Sequence, residues 1–117
     1  DVYKRQIRED DLDTARDILA YCSEHYTGDL RLDDLARDLH VSKFHISHLF
    51  SEKLHIHFCD YINTLRIEDA CSRLRDSAGS VTDIAFAVGF NSLRSFNRVF
   101  LRQKGMTPRQ YQKAAAD

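Results

Sequence analysis

Residues 81–90 have the sequence VTDIAFAVGF, and the same pattern of apolar, acidic and small residues occurs 49 positions earlier in the chain. The matched pairs at this offset are Leu32 and Val81, Asp34 and Asp83, Leu35 and Ile84, Ala36 and Ala85, and Leu39 and Val88. Beyond the turn the offset becomes 50, and the matched pairs are Ile46 and Phe96, Leu49 and Val99, and Phe50 and Phe100. Each copy predicts a short helix, a tight turn and a longer helix, with a small residue where the two helices cross. The repeat therefore predicts two helix-turn-helix units in tandem.

Helical periodicity extends through most of the remaining chain. We expect helices at residues 11–26, 32–39, 43–53, 58–76, 81–88, 92–104 and 108–111. Gly28 is expected at the left-handed position that closes the first helix, and Ser42 and Ser80 are expected as N-caps. The long helix is predicted to bury one apolar side, interrupted by polar residues toward its middle. Its expected buried residues are Phe58, Tyr61, Ile62, Leu65 and Leu74.

These elements predict an all-α fold of about seven helices. We expect two homeodomain-like helix-turn-helix subdomains, at residues 7–56 and 79–117, joined by a linker helix at residues 57–78.

The net charge is −1, but the charges are unevenly distributed along the chain. From Asn91 to Lys113 there are six Lys or Arg residues and no acid, whereas from Asp29 to Asp60 four bases face six acids. A concentrated basic segment attracts phosphate more strongly than the net charge indicates. We therefore expect the last quarter of the chain to hold a nucleic-acid backbone.

Composition argues against several other classes of protein. No apolar run approaches the roughly 18 residues that span a membrane, and we expect no secretory signal. Three cysteines at unpatterned spacing, Cys22, Cys59 and Cys71, are expected to be free thiols in a reducing cytoplasm. The sequence shows neither a catalytic Ser/His/Asp or Cys/His arrangement nor a Gly-rich phosphate loop. We therefore expect neither an enzyme nor a cofactor.

Residues 81–90 resemble the signature of the AraC/XylS family of bacterial transcription regulators. The resemblance continues through Ser95-Phe96, Arg98, Phe100 and the closing GMTPRQY at residues 105–111. The first half fits through Leu35-Ala36, Val41-Ser42, Leu49-Phe50 and YINTLR at residues 61–66. The resemblance covers roughly residues 11–111. It implies a DNA-binding domain that recognises an operator on double-stranded DNA.

The same resemblance implies that two recognition helices enter successive segments of the major groove, about 34 Å apart. The residues expected to face the bases are Phe44, Ser47 and His48 in the first helix, and Leu93, Arg94, Asn97 and Arg98 in the second. The residues expected to contact phosphates are Ser42, Lys43, Ser92, Arg102, Lys104 and Arg109. For each arginine of the second helix, base readout and phosphate contact are both open.

The first unit departs from the family pattern at several positions. His40 and His55 stand where the family commonly has Gly, and a left-handed backbone there would cost a non-Gly residue about 1 kcal/mol. His48 stands where the family often has Arg, and Ser51-Glu52 stand where basic residues often follow. The resemblance therefore supports the fold of this unit more firmly than its DNA contacts.

Two alternatives concern the first unit. Its acidic surface could contact a protein such as RNA polymerase while only the second unit holds DNA. Its histidines could instead bind a metal, through His45 and His48 or through His55, His57 and Cys59. We expect no metal site, because the resemblance already explains this segment as a docking element. Histidines that gain charge in mild acid would also strengthen DNA binding there.

The first six residues, DVYKRQ, can be encoded by GAT GTG TAT AAG AGA CAG, which resembles the transposon end used as a sequencing adaptor. We expect residues 1–6 to be translated adaptor, the alternative being a natural charged N-terminus. We also expect the natural protein to continue upstream into an effector-sensing or dimerisation domain, through which any oligomer would form, the alternative being a small stand-alone regulator of the same family.

Overall fold

The computed structural model describes residues 9–116, with side chains from residue 11 onward, so the predicted adaptor at residues 1–6 lies outside the described residues. Seven α-helices occur in this part of the chain, and no strand does. They are α1 (Glu9–His25), α2 (Leu32–Leu39), α3 (Lys43–Leu49), α4 (Phe58–Arg75), α5 (Val81–Ala87), α6 (Leu93–Lys104) and α7 (Pro108–Ala116). A π-helical turn, Phe50–Leu54, continues α3. The predicted all-α class is confirmed.

The helices form two compact units. The N-terminal unit contains residues 9–25 and Leu30–Phe58, and the C-terminal unit contains Tyr26–Asp29 and residues 59–116. Each unit contains one helix-turn-helix, α2–α3 in the first and α5–α6 in the second. The subdomain bounds expected from the sequence stay a prediction.

Side-chain hydrogen bonds cap the first turns of α2 and α3 in the N-terminal unit. The Ser42 hydroxyl accepts from the His45 backbone N–H at 3.1 Å, as expected for an N-cap. The Asp34 carboxylate accepts from the Arg31 N–H at 3.0 Å, and a negative charge is also favourable in the first turn of α2. His40 and His55 both adopt the left-handed backbone, with φ of 57° and 55°.

Apolar side chains from α1, α2, α3, the π-helical turn and the first residue of α4 are buried in the N-terminal unit. They are Ile18, Cys22, Leu35, Ile46, Leu49, Phe50 and Phe58. The rings of Phe50 and Phe58 pack edge to face, with centroids 5.6 Å apart. This contact packs the start of α4 against the π-helical turn that follows α3.

One apolar cluster holds the C-terminal unit together. Its members are Ile67, Ala70, Cys71, Leu74, Ile84, Ala85, Val88, Phe90, Phe96, Val99 and Phe100. Phe96 packs on Phe90 at 5.3 Å and on Phe100 at 5.6 Å, and Phe100 packs on Tyr111 at 5.7 Å between ring centroids. Because α4, α5, α6 and α7 all contribute to this cluster, the placement of α6 depends on each of them.

Capping bonds also set the ends of the helices in the C-terminal unit. The Ser80 and Ser92 hydroxyls accept from the Asp83 and Ser95 N–H groups at 3.0 and 3.1 Å. Gly105 ends α6 with a φ of 72°, which an L-residue adopts only with strain.

Two expectations about the helices were wrong. The middle of α4 is apolar, because Ile67, Ala70 and Cys71 are buried at a spacing that continues to Leu74. The polar neighbours of these residues hid that spacing in the sequence. Gly28 does not close α1, because the helix already ends at His25 and the positive φ values among the described glycines occur at Gly79, Gly89 and Gly105.

The end of the last helix was predicted too early, whereas the expectation of three free thiols is confirmed. The last helix continues to Ala116 rather than ending at Tyr111. Cys22, Cys59 and Cys71 are free thiols, and Cys22 and Cys71 are buried.

Within residues 9–116, no helix combines the length and the apolar character needed to cross a membrane.

Candidate nucleic-acid interface

Helix α3 exposes the residues that the sequence places at the bases. Phe44, Ser47 and His48 are exposed, while Ile46, Leu49 and Phe50 are buried. Positions separated by three or four residues lie on one face of a helix, so the exposed three form a single surface. Phe44 is 86% exposed, which is unusual for a large apolar side chain. We call Phe44, Ser47 and His48 the α3 face.

Carboxylates lie beside Lys43 and His45 at the start of α3. The Lys43 Nζ is 2.9 Å from the Asp33 carboxylate, and the His45 Nε2 is 3.4 Å from the Asp11 carboxylate. These pairs lower the positive potential next to the α3 face. The N-terminal unit therefore attracts a polyanion more weakly than its lysine and histidine content indicates.

Helix α6 exposes the corresponding positions in the second unit. Arg94, Asn97 and Arg98 are exposed on one face, opposite the buried Phe96, Val99 and Phe100. We call Arg94, Asn97 and Arg98 the α6 face. Leu93 differs from these three because it is half-buried and packs against the apolar cluster.

The remaining cations expected at phosphates lie at the end of α6 and the start of α7. The Lys104 Nζ donates to the Glu68 carboxylate at 2.7 Å, and this bond raises the pKa of the ammonium group. The Arg102 guanidinium lies 3.8 Å from the Asp60 carboxylate. Arg109 is exposed in the first turn of α7. Arg102 and Lys104 therefore face acids of α4, and both ion pairs must open or rearrange for phosphate to bind.

A capping box begins α7, and an open surface cavity follows α3 and its π-helical turn. Thr107 and Gln110 form a reciprocal capping box at α7, with bonds of 2.8 and 3.1 Å. His55, His57 and Ser51 line an open surface cavity of about 290 Å³ after the π-helical turn. No group of three or more His, Cys, Asp or Glu side chains in the described part of the chain is arranged to hold a metal ion.

Arg66 is a residue whose importance the sequence did not reveal. It lies on α4, half-buried, and its Nε donates to the Tyr26 carbonyl at 2.7 Å. Its Nη2 donates to the Gly28 carbonyl at 2.8 Å, and its guanidinium carbon lies 5.8 Å from the centre of the Phe90 ring. Burial lowers the pKa of this guanidinium, which stays charged at neutral pH. Arg66 is about 40 positions from the two residues whose carbonyls it binds, so no local sequence pattern indicates these bonds.

Comparison with known proteins gives consistent results. The chain matches a family model described as a helix-turn-helix domain over residues 35–114. It is 36% identical over 99 residues to an uncharacterized HTH-type transcriptional regulator of Staphylococcus aureus, an alignment covering 85% of this chain and 13% of that protein. It is 33% identical over 96 residues to regulatory protein SoxS of Escherichia coli K12, covering 82% of this chain and 90% of SoxS.

A solved structure extends the comparison to a complex. The DNA-binding domain of AdpA, a global transcriptional factor solved with a target DNA, is similar with a TM-score of 0.78 and 25% identity. The match covers 85% of this chain and 89% of that one.

Proposed function

Because the chain belongs to the AraC-type helix-turn-helix family, we propose that it binds operator DNA as the DNA-binding part of a bacterial transcription regulator. The family consists of binding domains rather than enzymes. The proposed site of action is the cytoplasm, where bacterial DNA lies. The chain spans only 13% of the length of its Staphylococcus aureus relatives, so the activity of a whole regulator would include more than this domain.

The observation that carries this proposal is the repeated exposure pattern. Each helix-turn-helix buries the same three positions of its second helix and exposes the positions between them, as the α3 face and the α6 face. A helix that is held by three buried residues and exposes the side chains between them is suited to the major groove, whose width admits one helix. The two faces would read successive segments of the groove.

The α6 face carries the chemistry for guanine and adenine. Arginine donates two parallel hydrogen bonds to guanine O6 and N7, and asparagine pairs with adenine N6 and N7. Each such pair contributes about 1–3 kcal/mol of discrimination against a wrong base. We propose that Arg94 and Arg98 read guanines and that Asn97 reads an adenine. Leu93 would lie at the edge of this surface, because part of its side chain packs inward.

The α3 face carries different chemistry. Phe44 suits the C5-methyl group of thymine, whereas Ser47 and His48 can each donate or accept one hydrogen bond. This face has no arginine, and acids lie beside its neighbours Lys43 and His45. We therefore propose that the N-terminal unit reads an A·T-containing half-site and adds less affinity than the C-terminal unit.

Phosphate contacts would hold both units in register. The proposed set is Ser42, Lys43, Ser92, Arg102, Lys104 and Arg109. Lys43, Arg102 and Lys104 each face a carboxylate of their own unit. The Lys43 and Arg102 pairs are exposed and contribute only about 0–1 kcal/mol each, so a phosphate could displace their acids at little cost, whereas Lys104 is half-buried against Glu68.

A second candidate function follows from the charges near α3. Acids lie beside Lys43 and His45 while Phe44 is exposed, so the α3 face also suits a protein partner. We propose RNA polymerase as that partner. The C-terminal unit alone would then bind DNA.

Selection of bound duplexes from a random pool separates the two proposals. Reading by both units gives two conserved half-motifs about one helical turn apart, one containing guanine and one rich in A·T pairs. One guanine-containing motif alone supports the protein-partner alternative. Recovery of no enriched motif would contradict sequence-specific DNA binding.

A further inference from the structure

The segment Tyr26–Asp29 precedes the second helix-turn-helix by more than fifty residues but packs against its turn. A Cβ atom placed on Gly89 would lie 2.6 Å from the Tyr26 carbonyl oxygen and 3.1 Å from the Thr27 Cα. Backbone therefore meets backbone at this point, at a distance that leaves no space for a side chain. The turn between α5 and α6 is completed by residues from another part of the chain.

Arg66 fastens this contact from the other side. Its two hydrogen bonds, to the Tyr26 and Gly28 carbonyls, hold the segment, and its guanidinium also lies over the Phe90 ring in the turn. A rigid planar fork can donate to two carbonyls at once while stacking on an aromatic ring, which a lysine ammonium cannot do. Arg66 thus joins α4, the segment and the turn.

The turn between α5 and α6 also determines where α6 begins. Phe90 packs on Phe96 within α6, and Leu93 starts the helix three residues after Phe90. Arg94 and Arg98 follow in the first two turns of α6. A shift of the turn would therefore displace the α6 face, and hydrogen bonds to base edges tolerate little displacement.

We propose that Arg66 is a positioning residue for DNA recognition, which holds Tyr26–Gly28 against the α5–α6 turn and so sets the placement of Arg94 and Arg98. The inference rests on the proposed function, because it concerns how the α6 face reaches its bases. Arg66 acts through the turn and does not itself touch DNA.

The test measures a specificity ratio rather than affinity alone. The first probe is the operator selected from random duplexes. The second probe has the same sequence except that the half-site assigned to α6, identified by its loss in Arg98→Ala, is scrambled. The ratio of the two dissociation constants is measured by fluorescence anisotropy, at a temperature where circular dichroism shows each variant to be folded.

Arg66→Lys is the principal variant because it keeps the positive charge but loses the fork, and Arg66→Ala removes both. The control is Tyr26→Phe, which removes the 2.8 Å hydrogen bond from the Tyr26 hydroxyl to Asp69 but leaves the carbonyl that Arg66 binds. We expect the ratio to fall about threefold in Arg66→Lys and about tenfold in Arg66→Ala, the latter equivalent to about 1.4 kcal/mol. Tyr26→Phe should leave it within about twofold of wild type.

Affinity for the scrambled probe separates positioning from general loss. We expect it to stay within about twofold in every folded variant, because contacts outside the α6 half-site are unchanged. A wild-type ratio in folded Arg66→Lys, or equal losses on both probes, would overturn the inference. If Arg66→Ala does not fold, Arg66→Lys alone decides. A ratio of one in the wild-type protein would instead refute the proposed function.

Discussion

Gly89→Ala tests whether the turn of the second helix-turn-helix excludes a side chain because of neighbouring atoms as well as because of its backbone conformation. Gly89 has a φ of 118°, and an added Cβ would lie 2.6 Å from the Tyr26 carbonyl oxygen and 2.7 Å from the Arg66 Nε. The backbone angle contributes about 1–3 kcal/mol of strain, and the enforced shift of packed atoms contributes about as much again. The two contributions sum to about 2–6 kcal/mol, and alanine offsets about 0.4–1 kcal/mol through the unfolded chain, so we expect the free energy of unfolding to fall by about 1–5.6 kcal/mol.

Gly105→Ala is the matched control. Gly105 also has a positive φ, of 72°, but an added Cβ would meet nothing within 4 Å. Only the left-handed backbone contributes there, about 1–2 kcal/mol. Alanine reduces the entropy of the unfolded chain equally in both variants, which offsets about 0.4–1 kcal/mol in each.

Urea unfolding followed by circular dichroism measures both variants under the same conditions. Gly89→Ala should be the less stable of the two by at least about 1 kcal/mol. Equal stabilities would refute the reasoning, because they would show that the contact with Tyr26 and Arg66 gives way without loss.

Three further predictions concern other parts of the molecule. Burial raises the pKa of Cys22 to about 12. A thiol reagent at pH 8 should therefore modify exposed Cys59 rapidly and Cys22 only after unfolding. Rapid loss of two thiols in the native protein would contradict this prediction. His55→Gly should raise the free energy of unfolding by about 0.5–1 kcal/mol, because the left-handed backbone at φ 55° favours glycine, and a lower stability in urea would count against that strain. Arg109→Ala should weaken DNA binding evenly across sequences and reduce the salt slope by about 1, with Lys113→Ala as the control, and an unchanged slope would remove Arg109 from the phosphate contacts.

Much of the fold could be predicted because its signals are local. Ser42 and Ser80 lie three residues before the N–H groups that they cap, and the two left-handed histidines stand where the family commonly has Gly. Hydrophobic spacing located the helices to within a few residues, since one face of each helix is buried. The repeat added what one pattern could not, because each copy supports the other.

Other features depend on residues distant in sequence and could not be predicted. His40 and Gly89 hold the same position in the two copies, but only Gly89 meets another segment of backbone. The sequence aligns these two positions, and it does not show which turn would exclude a side chain. The bonds from Arg66 to residues 26 and 28 were invisible for the same reason.

The candidate interface was predicted in its positions more fully than in its electrostatics. The recognition positions follow from helical geometry, and the structure places them on the exposed faces of α3 and α6, apart from the half-buried Leu93. The acids that face Lys43, Arg102 and Lys104 come from other helices, so the local charge count overstated how freely these cations meet phosphate. Their roles at DNA stay predictions.

The central claim is that two unequal helix-turn-helix units each read one half-site. It is tested most directly by repeating the selection from random duplexes with two double variants, Arg94→Ala/Arg98→Ala and Phe44→Ala/His48→Ala. We predict that the first loses the guanine-containing half-motif and keeps the A·T-rich one, and that the second does the reverse with a smaller loss of affinity. If either double variant selects the complete wild-type motif, or if both lose the same half, the account is contradicted.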